Sequence, residues 1–408
     1  MSTAAPVSRH AAFFVVFGGV SAAIHLGKLP PALPALHDEL GLSLVQAGFL
    51  LSVLQFAGMG FGLLAGVLAD GLGARRCMLI GLGLLTGASA AAGAWGQMGI
   101  GFGAMLALRV VEGAGFLLAV MPGPALVRRL AVPGTEKAAL GWWGAYMPLG
   151  VSLALLAGPV FLHVAGWTGW WQGAALVSAM AMLGLIHAVP ADGGRPAPAG
   201  AGAGWSSRLG LTLREPGAWL VAGAFCVYAA QWMAVIGFLP TIYASAGMPA
   251  AWTALLTAVA AAVNIVGNVC GGRLLQRGHA PQRLLVRGFL VMALMAALAF
   301  AQIGSGDQVW ALPMPVRYLA VCVFSLAGGM VPATLFLLAG RVVPQAASTT
   351  VGLMQQASSL GQFLAPPVVG WLAQRVGGWH WTWVFALGCS LAGMQMALWL
   401  GRRAQAGA

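Results

Sequence analysis

Charged residues are scarce in this chain, making up only 7% of its 408 residues, whereas 60% are hydrophobic. An ordinary soluble domain has about 25% charged residues. So few charges cannot cover the surface of a water-soluble protein of this length. The composition therefore excludes the soluble classes and predicts a protein embedded in a lipid bilayer.

Cysteine is also rare, and its spacing excludes several kinds of chemistry. The five cysteines are Cys77, Cys226, Cys270, Cys322 and Cys389. None stands in the C-x-x-C spacing of a metal or redox site, and the seven histidines are scattered. The chain also lacks a Gly-Lys-Ser/Thr phosphate loop and a nucleophile with a base at usable spacing. We expect no metal, no cofactor and no enzymatic activity.

Acidic residues are the scarcer of the two charge signs, eight against twenty Lys and Arg, which gives a net charge of +12. The basic residues are spread over short polar segments between apolar blocks and form no basic domain. Such a pattern is typical of loops beside anionic lipid. It excludes nucleic acid as a partner, because no basic surface large enough to hold a duplex is present.

Long hydrophobic runs dominate the rest of the sequence. A helix that crosses a bilayer needs about 20 apolar residues, and continuous runs indicate helices rather than barrel strands. Twelve such blocks are present, at 11–35, 44–69, 77–98, 101–125, 138–164, 168–189, 217–239, 250–273, 284–303, 313–340, 348–373 and 380–401. Most Lys and Arg residues fall on one side when both termini are placed in the cytoplasm. The prediction is an all-α, multi-pass membrane protein of twelve transmembrane helices, numbered here as spans 1 to 12.

The twelve spans divide into two halves that echo each other. Residues 190–215 are rich in Gly, Ala and Pro, as expected of a cytoplasmic linker. The predicted organisation is a six-helix bundle over residues 1–189, this linker, and a second six-helix bundle over residues 216–408. Trp167, Trp170 and Trp171 follow the fifth span, and we interpret them as anchors at the membrane interface.

Two motifs in the first half carry a family resemblance. Residues 66–76 read GVLADGLGARR, and residues 109–115 read RVVEGAG. They resemble signatures of the major facilitator superfamily, which implies two six-helix bundles and transport by alternating access. The resemblance also implies a cytoplasmic gate made by Gly66, Asp70, Gly73, Arg75 and Arg76. Gln276 stands at the counterpart of Asp70 in the second half, so this gate is expected on one side only.

Three further stretches suggest a branch of that superfamily. Residues 29–34, 146–150 and 238–243 resemble the bacterial cyanate/nitroimidazole-type permeases, which implies small anions or heterocycles carried across the bacterial inner membrane. The alternative is a proton-antiport exporter of drugs or metabolites. The exporter motif of span 5 survives here only as Gly158 and Pro159, which favours the first interpretation.

Four ionisable residues lie well inside predicted spans, away from the span ends, and all of them are in the first half: His25, Lys28, Arg109 and Glu112. His163 and His187 lie nearer the ends of their spans. Ionisable groups inside a membrane are costly and mark functional sites. Glu112 is the only carboxylate in a span, so it is the predicted proton site, with Arg109 as its ion-pair partner three residues away and His25 as the second candidate. The alternative for the Arg109–Glu112 pair is a packing or gating element. Lys28 either faces the substrate cavity or extends to the outer interface.

The expected substrate site combines these charges with uncharged polar groups. The candidates are Lys28, Arg109, Tyr146, Gln231, Asn264, Asn268, Gln355 and Gln356. Amides in spans also join helices by hydrogen bonds, and that alternative stays open for each of them. If Lys28 faces the cavity, Lys28 and Arg109 outweigh Glu112, and the predicted substrate is a small organic anion. The sequence thus predicts a secondary active transporter that works as a monomer, with proton symport favoured.

Overall fold

A computed structural model describes residues 9–60, 62, 73–131, 143–191, 205–302 and 310–406. Nine helices within these ranges are long and apolar enough to cross a membrane. One of them, Tyr146–Ala188, holds two spans, and the helices Leu44–Gly60 and Ala347–Val376 supply the remaining two. The described residues therefore include a helix at each of the twelve predicted spans, although residues 61 and 63–69 of span 2, 138–142 of span 5 and 303 of span 9 lie outside them, and the all-α fold is confirmed.

The first six spans contain three irregularities that matter for the site. Their helices are Arg9–Gly27 and Leu29–Leu40 in span 1, Leu44–Ser52 in span 2, Ala74–Gly96 in span 3, Phe102–Val120 and Gly123–Leu130 in span 4, and Tyr146–Ala188 in spans 5 and 6. Span 1 is divided into two helices at Lys28, and span 2 tightens to a 3₁₀ turn at Val53–Gln55. Gly166 separates spans 5 and 6 with φ 65° and ψ −176°, a conformation that favours glycine.

The last six spans are longer and more regular. Their helices are Pro216–Ser245, Ala250–Gln276, Pro281–Phe300, Met314–Val342, Ala347–Val376 and Thr382–Ala406. The linker expected at 190–215 contains a short helix, Trp205–Arg214, which its Gly-rich composition did not predict. The linker's Gly/Ala-rich part, 192–204, lies outside the described residues.

Within the described part of the chain, each half packs mainly on itself, and three helix pairs make most of the contact between the halves. Span 2 packs on span 11, the outer half of span 1 on span 7, and the Tyr146–Ala188 helix on span 8. Small residues allow the closest of these approaches: a Cβ placed on Gly48 of span 2 would lie 2.8 Å from the backbone nitrogen of Pro367 in span 11. Large apolar side chains such as Val164 and Leu176 cover the outer surface, as expected beside lipid.

Candidate functional site: a buried charge cluster

The structure brings together the four ionisable residues that the sequence singled out. His25 and Lys28 come from span 1, and Arg109 and Glu112 from span 4. None of the four has any solvent-exposed surface. We call these four residues the charge cluster. They lie inside the N-terminal half, between spans 1, 3, 4 and 6. Span 3 supplies Ser89 as a further partner, and span 6 supplies Trp171 and Ser178.

Glu112 is the centre of the charge cluster. Its Oε1 lies 2.6 Å from Lys28 Nζ, and its Oε2 lies 2.6 Å from Arg109 Nη1. The Arg109–Glu112 pair that the spacing predicts is thus present, while the contact with Lys28 joins residues 84 positions apart. Removing one partner from a buried pair costs about 3–5 kcal/mol, since the other charge is left uncompensated.

Lys28 uses all three of its ammonium donors within the protein. They bind Glu112 Oε1, Ser89 Oγ at 2.7 Å and His25 Nδ1 at 3.2 Å. The ammonium also lies 4.6 Å from the ring centre of Trp171. Of the two interpretations left open for Lys28, extension to the membrane interface is therefore wrong.

His25 links the charge cluster to span 6. Its Nε2 lies 2.7 Å from Ser178 Oγ, and its Nδ1 receives the Lys28 ammonium. Because an ammonium group only donates, Nδ1 must accept, and the ring hydrogen is then on Nε2. His25 is therefore neutral in this arrangement, and a second proton on the ring would displace Lys28.

Two backbone carbonyls near Lys28 in span 1 accept hydrogen bonds from side chains. Pro30 and Pro31 also have no N–H, so the carbonyls of Leu26 and Gly27 receive no helical hydrogen bond from them. His25 O accepts a hydrogen bond from Arg109 Nη1 at 2.8 Å, and Lys28 O accepts one from Trp170 Nε1 at 2.9 Å. Lys28 itself keeps helical dihedrals (φ −71°, ψ −26°), so span 1 continues through this point while two of its carbonyls bind side chains of spans 4 and 6.

The tryptophans after span 5 correct one prediction. Trp167, Trp170 and Trp171 are at most 4% exposed, so they do not anchor the protein at the lipid interface. Trp167 Nε1 donates to Glu39 Oε2 at 2.7 Å, and Trp171 covers the Lys28 ammonium. Their large rings fill the interior beside span 1. Sequence position alone did not show which way these rings face.

The candidate amides of the second half mainly tie helices together. Asn264 Nδ2 donates to Ser325 O at 2.9 Å and to Tyr228 Oη at 3.3 Å, which joins spans 7, 8 and 10. Asn268 Nδ2 lies 3.0 Å from Asn264 Oδ1. Gln231 Oε1 accepts from Ser390 Oγ at 2.9 Å, joining spans 7 and 12. In the first half, Tyr146 is buried and packs on Trp143, with ring centres 4.7 Å apart.

Span 11 instead places its amides on the seam between the two halves. Gln356 Nε2 donates to Met59 O at 2.7 Å, and Gln55 Nε2 donates to Gln362 Oε1 at 3.1 Å. Gln355 lies half-buried beside Gln356. We call the Gln55, Met59, Gln356 and Gln362 contacts the amide seam. Sequence reasoning missed Gln55, although an amide inside an apolar run was the signal that marked the others.

The predicted cytoplasmic gate is described only in part. Gly66 and Asp70 lie outside the described residues. Gly73 has a φ of 93°, as a tight glycine turn requires, and it directly precedes the helix that carries Arg75 and Arg76. Arg75 Nη2 donates to Ile186 O at 2.8 Å, so this arginine binds a backbone carbonyl in the last turn of span 6.

The charge cluster has an unbalanced charge. With His25 neutral, Lys28 and Arg109 contribute two positive charges, and Glu112 contributes one negative charge. The cluster therefore carries one net positive charge in a fully buried position.

Comparisons with known proteins agree with this architecture. The chain is 27% identical over 357 residues to an uncharacterised MFS-type transporter of Mycobacterium tuberculosis, an alignment that covers 74% of this chain and 59% of that protein. The chain therefore spans less than two thirds of that relative's length. Its fold matches a crystal structure of a bacterial homologue of the human lysosomal transporter Spinster, in an inward-facing and occupied conformation.

That structural match has a TM-score of 0.76 and covers 98% of both chains at 14% identity, so it shows a shared fold. The family model that matches this sequence is described as Major Facilitator Superfamily and spans residues 11–366. This family consists of transporters rather than enzymes. Because the match covers most of the chain, the protein belongs to the Major Facilitator Superfamily.

Proposed function

We propose that this protein is a secondary active transporter that moves a small organic anion together with protons by alternating access. The observation that carries the proposal is the charge cluster: two cations share the single carboxylate of Glu112 in a fully buried site. An unpaired charge at the centre of a membrane helix costs about 2.5–3.5 kcal/mol. Buried charged residues are therefore paired with one another and mark functional sites.

Proton binding and anion binding support each other at such a site. When Glu112 is ionised, it neutralises one of the two cations, and little attraction remains for a second anion. When Glu112 takes up a proton, Lys28 and Arg109 lose their counter-charge, and an incoming anion replaces it. By linkage, the anion then favours protonation to the same extent. This positive coupling gives symport.

The amide seam is consistent with alternating access. Its hydrogen bonds join spans 2 and 11, which belong to different halves. Each neutral hydrogen bond contributes about 0.5–1.5 kcal/mol. Contacts of this strength can break and re-form as the halves rock about the site. We assign the Gly66–Arg76 turn to the gate on the cytoplasmic side.

The finer features of the proposal follow the family resemblance. We place the protein in a bacterial inner membrane, working as a monomer, with substrates of the size carried by the cyanate/nitroimidazole-type permeases. The competing function is a proton-antiport exporter of drugs or metabolites. The net positive charge of the cluster disfavours a cationic drug, because like charges repel strongly in a buried site.

The test is uptake into proteoliposomes under an imposed proton gradient. The probes are radiolabelled cyanate, acetate, lactate and benzoate, each measured with and without the gradient. We expect the gradient to accelerate uptake of at least one probe by the wild-type protein. Glu112→Gln keeps the shape of the side chain but cannot release a proton, so we expect it to abolish this acceleration.

The matched control is Glu215→Gln, because this carboxylate is partly exposed and pairs with Arg403 at the surface. It should retain the acceleration. Undiminished gradient-driven uptake by Glu112→Gln contradicts Glu112 as the proton site. Probe efflux driven by inward proton flow supports the exporter instead, and the absence of any probe transport contradicts the anion proposal.

A further inference from the structure

The two cations of the charge cluster differ in how many donors they have left. Lys28 has three N–H groups, and each has an acceptor: Glu112, Ser89 and His25. Its apolar stem and its ammonium are both fully buried, with Trp171 beside the charge. Lys28 is thus saturated, and an added ligand would have to displace one of these partners.

Arg109 is occupied on one side of its guanidinium only. Its Nη1 donates to Glu112 Oε2 at 2.6 Å and to His25 O at 2.8 Å. Its Nη2 is buried and has no hydrogen-bond partner among the described residues. Its Nε makes a single long contact of 3.4 Å with Leu50 O. On the Nε–Nη2 edge, Nη2 is therefore unpaired and Nε is only weakly bound, although the whole side chain is buried.

The backbone next to this edge departs from regular helix. Leu50 precedes the 3₁₀ turn Val53–Gln55 of span 2, and tightened turns inside a helix often mark functional positions. Span 4 approaches this turn closely, because a Cβ placed on Gly113 would lie 2.5 Å from Leu54 O. Arg109 thus contacts span 2 through Nε, close to this irregular turn, and contacts span 1 through Nη1.

We propose that the carboxylate of the substrate binds the Nε–Nη2 edge of Arg109, while Lys28 keeps its partners and holds the charge cluster together. Two parallel N–H donors in one plane match the two oxygens of a planar carboxylate. A tetrahedral sulfonate of similar size fits this edge less well. The inference rests on the proposed anion transport and, among the eight candidate substrate ligands, assigns the carboxylate to Arg109 rather than Lys28.

The experiment compares benzoate with benzenesulfonate, which share a ring and a charge but differ in the shape of the anionic group. Binding to the purified protein in detergent is measured by calorimetry for the wild type, Arg109→Lys and Arg375→Lys. Arg109→Lys keeps the charge and removes the planar fork. Arg375 is exposed on span 11, away from the charge cluster, and serves as the control.

We expect the wild type to favour benzoate by about tenfold or more, because paired charge-assisted hydrogen bonds depend on this planar geometry. Arg109→Lys should lose most of that preference, whereas Arg375→Lys should retain it. Equal wild-type affinities for the two anions overturn the inference even if Arg109→Lys fails to fold. A preference that survives unchanged in Arg109→Lys also overturns it and leaves anion transport standing. Failure of the wild type to bind either anion, together with no transport of any probe, counts against the proposed function itself.

Discussion

The two halves share an architecture but bury different polar groups. The N-terminal half encloses His25, Lys28, Arg109 and Glu112, with direct contacts of 2.6 Å between opposite charges. The C-terminal half encloses uncharged groups, and its Asn264 binds Ser325 and Tyr228 at 2.9 and 3.3 Å. Similar bundles thus contain two unlike polar interiors.

This difference separates two tasks. A charged interior can change its net charge by gaining a proton, so it can couple one ligand to another. An amide interior has no proton to exchange at ordinary pH. It can bind and orient a ligand, but it cannot couple the binding of that ligand to the binding of a proton. On this view, energy coupling lies in the N-terminal half, while the C-terminal half provides a hydrogen-bonded frame that moves against it.

The largest expected effect comes from removing the central carboxylate. Glu112→Leu leaves Lys28 and Arg109 buried without a counter-charge, so we expect a loss of about 3–5 kcal/mol in the free energy of unfolding. Thermal unfolding of the purified protein in detergent measures this loss. Adding Lys28→Met to the same protein removes one of the uncompensated charges and should recover part of the stability.

No recovery in the double variant would contradict the idea that the two charges are energetically paired. An unfolding temperature equal to that of the wild type would show that Glu112 is not the counter-charge of the cluster. Either result would contradict the claim that the interior of the N-terminal half is held together by paired charges.

A smaller effect is expected in the C-terminal half. Asn264→Ala removes the link between spans 7, 8 and 10 and leaves the phenol of Tyr228 without this amide partner. We expect a loss of about 1–3 kcal/mol in stability, the usual penalty for a disrupted buried hydrogen bond. Proton-driven uptake by the surviving folded protein should keep its response to the gradient. Uptake that no longer responds to the gradient in Asn264→Ala would assign coupling to both halves.

Much of the fold was predictable because its signals are local. Twelve apolar runs of sufficient length are visible in the chain, and the turn between spans 5 and 6 falls at Gly166, as the run boundaries predict. The four residues of the charge cluster were also identifiable, since any charge in an apolar run stands out. The Arg109–Glu112 pair followed from helical spacing.

The remaining features depend on which face of each helix points inward. A membrane helix is apolar on its lipid side and on its packed side, so periodicity gives little information about orientation. The burial of Trp171, the contact of Lys28 with Glu112, and the pairing of Gln55 with Gln362 all depend on how distant spans meet. Ser89 and Ser178 were missed for the same reason. A small polar residue is tolerated at many positions of an apolar span, so its presence alone does not indicate a functional contact.

The most direct test of the central claim is to count protons when an anion binds. Purified protein in weakly buffered detergent solution, near neutral pH, is mixed with saturating amounts of a transported probe anion, and a pH indicator records the change. The account predicts proton uptake by the wild type and none by Glu112→Gln. Proton release by the wild type, or equal uptake by Glu112→Gln, would contradict a charge cluster that couples proton and anion through Glu112.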